Sequence, residues 1–213
     1  MSMLMRAPRE CASWFWDLEE YAPPGLQSAL VTAAKMAAVL RQHELLEPHQ
    51  LEWPWFIPET GGAPAVTRLS LTGPIDDELV FQRVQAMRPV GFPDAIEGDL
   101  LVAGTGTWFD EHGTPRREYR LVELTVSPEH LGLSAEISVF HDVWGPFDFR
   151  GEPHPGVHQR NAPRLAAALR DLEVLLGVPP EPGEATNFGK AVGYGVDEPV
   201  VMDGRGPDLT DRL

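Results

Sequence analysis

The sequence has little cysteine and no long apolar run. Cys11 is the only cysteine in 213 residues, which excludes an intramolecular disulfide and a disulfide-stapled secreted scaffold. The longest apolar segment, residues 29–40, is interrupted by Thr32 and Lys35, and a membrane span needs about 18 apolar residues. We therefore expect no contact with a membrane. The N-terminus lacks the apolar stretch of a signal peptide, which predicts a cytoplasmic location.

Basic residues are also scarce. The chain carries 17 Lys and Arg against 32 Asp and Glu, a formal net charge of −15. Nucleic-acid binding requires a basic surface that neutralises phosphates, so the charge argues against a nucleic-acid partner and equally against docking on anionic lipid. With 43% hydrophobic residues the chain can still build a substantial core. Its length predicts one domain covering residues 1–213.

The central third of the chain has the period-two pattern of strands. Residues 99–109, 117–126 and 133–144 are three such runs, separated by turns that contain Gly or Pro. In the last run Leu133, Ala135 and Ile137 alternate with more polar positions. This alternation is typical of an antiparallel sheet with one buried and one wet face. Prolines in residues 52–58 argue against a central strand there.

Helical spacing of apolar residues marks two longer segments. Residues 25–47 form the first predicted helix, ended by Pro48, and the second begins at Asn161 as its cap with Pro163 in its first turn. A third, shorter helix is predicted near residues 75–87. The expected fold is a single α+β domain. Its antiparallel sheet has about four to five strands with two or three helices packed on one face, and an irregular tail, 178–213, wraps the surface.

Histidines and an aspartate suggest one candidate for a metal site. His141, Asp142, His154 and His158 are ligand types that suit zinc or a similar ion. They would make the protein a metal-dependent hydrolase. However, prolines around His154 argue against a helix, and without a helix the four-residue spacing to His158 has no geometric meaning. Histidines in such a loop are more often simply solvated.

Two tryptophans suggest a second alternative. Trp53 and Trp55 lie in an aromatic segment after the first helix and could line a small-molecule cavity. The competing interpretation is that they fill the end of the core, which is the commoner use of large aromatics. The chain contains no nucleophile elbow, phosphate loop or other cofactor motif, so no cofactor is expected and a non-enzymatic protein is favoured.

Acidic residues concentrate in the predicted sheet. Between Glu97 and Asp148 ten acids face three arginines, a net charge of −7. Glu118, Glu123 and Glu136 belong to this region, and Glu123 and Glu136 occupy predicted wet positions of adjacent strands. An acidic face of this kind steers a basic protein partner, although it also serves solubility alone. The leading hypothesis is a binding protein for a basic partner, contacted by these three glutamates.

Two resemblances accompany this hypothesis. The segments HDVWGPFDFR, residues 141–150, and NAPRLAAAL, residues 161–169, resemble uncharacterised actinobacterial families, which implies a source and no activity. In its composition, a small acidic α+β chain without catalytic motifs, the sequence is similar to immunity proteins. That resemblance implies an inhibitor of a toxin, often a basic nuclease.

Overall fold

The computed structural model of the chain describes residues 4–57, 63–128 and 132–213, except for the side chains of residues 63–65. In these ranges the elements are, in order, β1 (Ala12–Asp17), α1 (Leu26–Gln42), β2 (Glu47–Phe56), β3 (Ala63–Ser70), α2 (Glu78–Ala86), β4 (Ile96–Glu97), β5 (Leu100–Phe109), β6 (Pro115–Tyr119), β7 (Glu123–Ser127), β8 (Ser134–Val139), α3 (Pro155–Leu176), β9 (Glu181–Pro182), β10 (Ala191–Val192) and β11 (Gly195–Val196). Two short 3-10 turns, Asp142–Trp144 and Thr210–Arg212, complete them.

One large antiparallel sheet dominates the molecule. Its strand order is β3-β2-β5-β7-β8-β1-β9, with β4 paired to β2 and β6 paired to β5, while β10 and β11 form a separate hairpin. The prediction of a single α+β domain with an antiparallel sheet is confirmed, and the described residues contain three helices. The predicted strand number was wrong, because the sheet has nine strands instead of four to five.

Part of that error concerns β2, which the sequence analysis excluded as a central strand. β2 pairs with β5 on one side and with β3 on the other, although it contains Pro48 and Pro54. Each proline lies where the register shifts, Pro48 against β5 and Pro54 against β3. A bulge is one of the few places where a strand tolerates a residue without a backbone donor. The prolines therefore mark irregular points of a strand.

The buried face of the sheet is a continuous apolar surface. Register aligns one residue from each of five neighbouring strands, and all five side chains are 0% exposed: Leu51, Val102, Leu124, Ile137 and Trp14. Helix α1 covers this surface, contacting β2, β5 and β7 through its own buried face. Helix α3 packs beside it against β5. The alternation predicted for the central strands produces this core.

Both long helices differ from their predicted bounds. The first ends at Gln42, five residues before the predicted boundary, because Glu44 has a φ of 56° and turns the chain into β2. The second begins at Pro155, not after Asn161, because Pro155 itself stands in the first turn. Asn161 is fully buried inside the helix, where its side chain accepts from the Phe109 N–H at 2.9 Å and donates to the Phe109 carbonyl at 2.8 Å.

The predicted strand over residues 117–126 is in fact two strands. Arg120 has a φ of 56° and separates β6 from β7, both of which pair with the long strand β5.

The C-terminal segment, residues 178–213, contains only short strands and one 3-10 turn, and most of its residues are exposed. It is attached to the sheet at several points, including the hydrogen bond from Trp14 Nε1 to the Gly193 carbonyl at 2.7 Å.

Candidate functional site

The side of the sheet opposite the helices is polar, and we call it the helix-free face. Alternation along the strands directs Thr125, Glu136 and Phe15 to this side, where they are direct neighbours on β7, β8 and β1. The next row places Glu123 beside Ser138 and Ser13. Glu123 and Glu136 are therefore diagonal neighbours on one face, a separation of roughly 7–8 Å in a sheet.

One half of this face carries a charge network, defined here as Arg6, Glu123, Arg120, Glu52 and Arg68. Glu123 lies 2.6 Å from Arg6 and 3.2 Å from Arg120. Glu52 lies 4.0 Å from Arg120 and 3.5 Å from Arg68. Both glutamate side chains are nearly buried, 12% and 11% exposed. Arginines thus compensate the carboxylates here, and the turn at Arg120 places one guanidinium between them.

The other half of the face is acidic and uncompensated. We define the acidic end as Asp17, Asp99, Glu136 and Glu181, none of which forms an ion pair with another described residue. Register places Glu136 and Glu181 on either side of Phe15, and Asp17 opposite Ser134. Ser127 donates a hydrogen bond to Asp99. Like charges on adjacent strands repel one another, so this arrangement does not stabilise the sheet.

The acidic end continues into a groove at the edge of the sheet. The groove has a volume of about 600 Å³ and is lined by Asp17, Glu19, Glu20 and Glu181, with Leu176 at the C-terminal end of α3. A helix C-terminus carries a partial negative charge from its free carbonyls. Carboxylates and helix end therefore contribute potential of the same sign at this edge.

The predicted partner-binding glutamates occupy three different environments. Glu136 belongs to the acidic end, and Glu123 belongs to the charge network on the same face. Glu118 lies on β6 directly opposite Gly106 of β5. Along β5, Gly106 faces the same side of the sheet as Val102, which is the side covered by the helices. Glu118 therefore points to the other side of the sheet, and the structure does not bring it together with the other two.

A second candidate site is a cleft between the segment that follows β8 and the C-terminal tail; we call it the tail cleft. Its volume is about 340 Å³. One wall contains His141, Asp142 and the ring of Phe149, and the other contains Phe188 and Lys190. The Leu209 N–H donates to the Phe149 carbonyl at 2.7 Å, and Thr186 Oγ1 donates to the Glu10 carbonyl at 2.6 Å. These bonds fix the tail in place.

Burial changes the acidity of the groups in this cleft. Desolvation raises the pKa of Asp142 to about 7, and the N–H groups of Met5 and Phe149 act in the opposite direction. Desolvation lowers the pKa of His141 to about 4. Burial also raises the pKa of Cys11, with the charge of Asp142 as the next cause. The Cys11 thiol consequently stays protonated near neutral pH, whereas a nucleophilic cysteine needs its thiolate.

The four predicted metal ligands lie in two places, His141 and Asp142 in the lining of the tail cleft and His154 and His158 at the N-terminal end of α3. His141 and Asp142 follow β8, His154 caps α3, and His158 lies in its first turn, so the helix that the sequence analysis doubted does exist. The His154 Nε2 atom lies 2.8 Å from the Gly145 carbonyl, a bond that uses one of its two ring nitrogens. Within the described residues, no three His, Cys, Asp or Glu side chains are arranged to hold a metal.

The two tryptophans of the aromatic alternative lie in the core. Trp53 and Trp55 are 0% and 1% exposed, and their rings meet edge to face at a centroid distance of 6.1 Å. Trp55 Nε1 donates to Thr67 Oγ1 at 2.7 Å. This packing is the arrangement that the competing, structural interpretation described.

Sequence reasoning missed several residues of both sites. Asp17 ends a strand in which Trp14 and Trp16 are buried and Phe15 faces outward, so its period-two pattern contained the signal. Glu181 and the tail residues of the cleft had no comparable signal, because β9 is two residues long and the tail has no period. Their positions depend on contacts with distant parts of the chain.

Comparisons with models of protein families, with curated proteins and with solved structures find no match to this chain. The resemblances to actinobacterial families and to immunity proteins therefore remain predictions from the sequence. Among the helices of the described ranges, none has the length and apolar character to cross a membrane.

Proposed function

We propose that this protein binds a basic protein partner on its helix-free face, with the acidic end as the main contact. The observation that carries the proposal is that the four carboxylates at that end form no ion pair with any residue the structure describes, whereas arginines pair with the glutamates in the other half of the same face. If these carboxylates served to stabilise the fold, we would expect them to pair with lysine or arginine side chains of the same chain. Lysine or arginine side chains of another protein would supply the missing counter-charges.

The proposal revises the set of contact residues. Glu136 remains a contact, joined by Asp17, Asp99 and Glu181, while Glu123 contributes through the charge network and Glu118 is left out because it points to the opposite side. Phe15 lies between Glu136 and Glu181 and is 38% exposed, so it offers an apolar contact inside a charged surround. An aromatic anchor of this kind is common in protein interfaces.

A neutralising inhibitor is the role that fits this binding mode best. Complementary charge accelerates encounter with a basic partner and can cover its working surface. A toxin that acts on nucleic acid needs a basic surface to bind the phosphates. The acidic face of this protein would compete with the nucleic acid for that surface. This part of the proposal agrees with what the resemblance to immunity proteins implies.

The test is partner capture followed by charge reversal. Immobilised protein captures partners from native lysate, and the affinity of the purified partner is measured against the double variant Asp17→Lys/Glu136→Lys. We expect a partner of basic pI and a loss of affinity of at least about tenfold, mostly through slower association. The matched control is Glu111→Lys/Asp211→Lys, which makes the same charge change at exposed positions away from the face.

Two results would contradict the proposal. The first is an acidic captured partner. The second is equal loss of affinity in both double variants, which would mean that overall charge matters and the location of the carboxylates does not. Glu118→Lys should leave the affinity unchanged, because this side chain lies on the other side of the sheet.

A further inference from the structure

The tail cleft has the dimensions and construction of a small-molecule site. Its volume of about 340 Å³ falls in the range, roughly 300–1,000 Å³, that such sites occupy. Aromatic side chains line it: Trp144, Phe147, Phe149 and Phe188. Phe149 and Phe188 belong to opposite walls and meet edge to face at a centroid distance of 5.6 Å. The rings therefore form an apolar lining that spans both walls.

Two buried polar atoms at this cleft have no hydrogen-bond partner of normal geometry among the described residues, although the Phe149 N–H lies close enough to the Asp142 carboxyl to lower its pKa. They are Asp142 Oδ2 and His141 Nδ1. The residues are 5% and 2% exposed, and both line the cleft. Asp142 Oδ1, by contrast, accepts a hydrogen bond from the Met5 N–H at 3.2 Å. An unpaired buried carboxylate oxygen is unfavourable by about 1–3 kcal/mol or more, so a donor from a ligand would find a strong acceptor here.

The charges around the cleft favour a cationic ligand. Asp148, Asp197 and Glu198 lie at its lining together with Asp142, and Lys190 is the cation among the lining residues. Lys190 Nζ is already 3.5 Å from Asp197. Aromatic faces also attract cations through their quadrupoles. Carboxylates and rings thus select the same ligand charge.

We propose that the tail cleft binds a small organic cation, an alkylammonium or guanidinium group attached to an apolar body. The N–H groups of the ligand donate to Asp142 Oδ2, an unpaired side-chain oxygen of a lining residue. The apolar body lies against Phe149 and Phe188. This site is separate from the helix-free face, and its occupation does not depend on the basic protein partner.

The probes for the test share one phenyl ring and differ in charge: phenethylamine is cationic, phenethyl alcohol neutral and phenylpropionate anionic. Calorimetry and amide NMR measure their binding to the full-length protein. We expect saturable binding of the amine, about tenfold tighter than the alcohol, as a charged hydrogen bond implies. The amides of Gly145 and of residues 147–149 and 186–190 should shift. No saturable binding of the amine, or equal affinity for amine and alcohol, would overturn the proposal.

Variants locate the site. Asp142→Asn keeps the shape of the side chain and should abolish the preference for the amine, whereas Glu136→Gln removes a carboxylate from the helix-free face and should preserve it. Phe188→Leu should weaken amine binding severalfold through loss of the ring. If Asp142→Asn does not fold, the proposal is still tested by the amine affinity of Phe188→Leu and by the ratio of amine to alcohol affinities in the natural protein. An unchanged preference in folded Asp142→Asn would refute the assignment.

Discussion

The acidic end of the helix-free face and the tail cleft both contain carboxylates without a cation partner among the described residues, but their burial differs. Asp17 and Glu181 are exposed and Glu136 is half-buried, whereas Asp142 is 5% exposed. Exposed carboxylates attract an approaching cationic partner over about one Debye length, roughly 8–10 Å. A buried carboxyl acts only at contact, where its hydrogen bonds are strong. The same residue type therefore serves long-range attraction in one region and short-range selection in the other.

The largest expected effect concerns the buried region and follows from two opposite pKa shifts. The pKa of Asp142 is raised from 3.8 to about 7, so the folded protein keeps a proton that the unfolded chain loses, and the contribution of Asp142 to stability falls as pH rises through that interval. The pKa of His141 is lowered from 6.5 to about 4, so its contribution to stability rises with pH between those values. Between about pH 4 and pH 6.5 the opposite changes in the free energy of unfolding from Asp142 and His141 largely cancel.

Asp142→Asn removes the titration of Asp142 and leaves that of His141. We expect its free energy of unfolding to rise by roughly 3 kcal/mol from about pH 4 to about pH 6.5, because His141 then titrates alone. In the natural protein the pair should contribute almost no slope over the same interval. Urea unfolding at a series of pH values measures both curves, and parallel curves would contradict the assigned protonation states.

A smaller effect distinguishes the two halves of the helix-free face. Glu123→Gln leaves the Arg6 guanidinium without its carboxylate partner and leaves Arg120 with only the more distant Glu52, so we expect a destabilisation of about 1–3 kcal/mol. Glu136→Gln removes a carboxylate that has no cation partner in the described structure, and its effect should stay within about 0.5 kcal/mol. Denaturant unfolding of the two variants provides the comparison, and equal destabilisation would remove the distinction between the halves.

The sequence predicted the parts of the fold that depend on local patterns. Alternation of Leu133, Ala135 and Ile137 with Ser134 and Glu136 was sufficient to identify β8 and its wet face. It was also sufficient to place Glu136 on that face.

Proline positions were the main source of error. Pro54 in β2 and Pro155 at the start of α3 are tolerated because a bulge and a first helical turn need no backbone donor at those points. A propensity argument cannot distinguish such positions from strand or helix ends, since the partner strand decides where a bulge falls. The prediction therefore missed β2 as a central strand and placed the start of α3 too late.

The candidate sites were only partly predictable. Asp142 and the histidines were identified by residue type, but the Asp142 side chain is held by the N–H of Met5, 137 residues away in sequence. The opposite wall of the tail cleft comes from the tail, which has no periodic pattern. Pairing of β1 with β9 likewise brings Glu181 to Phe15. Long-range contacts of this kind leave no mark in a single sequence.

An NMR titration with nona-arginine tests most directly whether the acidic end of the helix-free face attracts a cationic partner. At low ionic strength, where electrostatic attraction is strongest, the peptide is added to labelled protein and the amide shifts are mapped onto the structure. We expect saturable shifts centred on Asp17, Ser134, Glu136 and Glu181, and we expect these shifts to be absent in Asp17→Lys/Glu136→Lys. Shifts spread over all exposed acids, such as those at Asp76 and Asp211, would contradict this expectation.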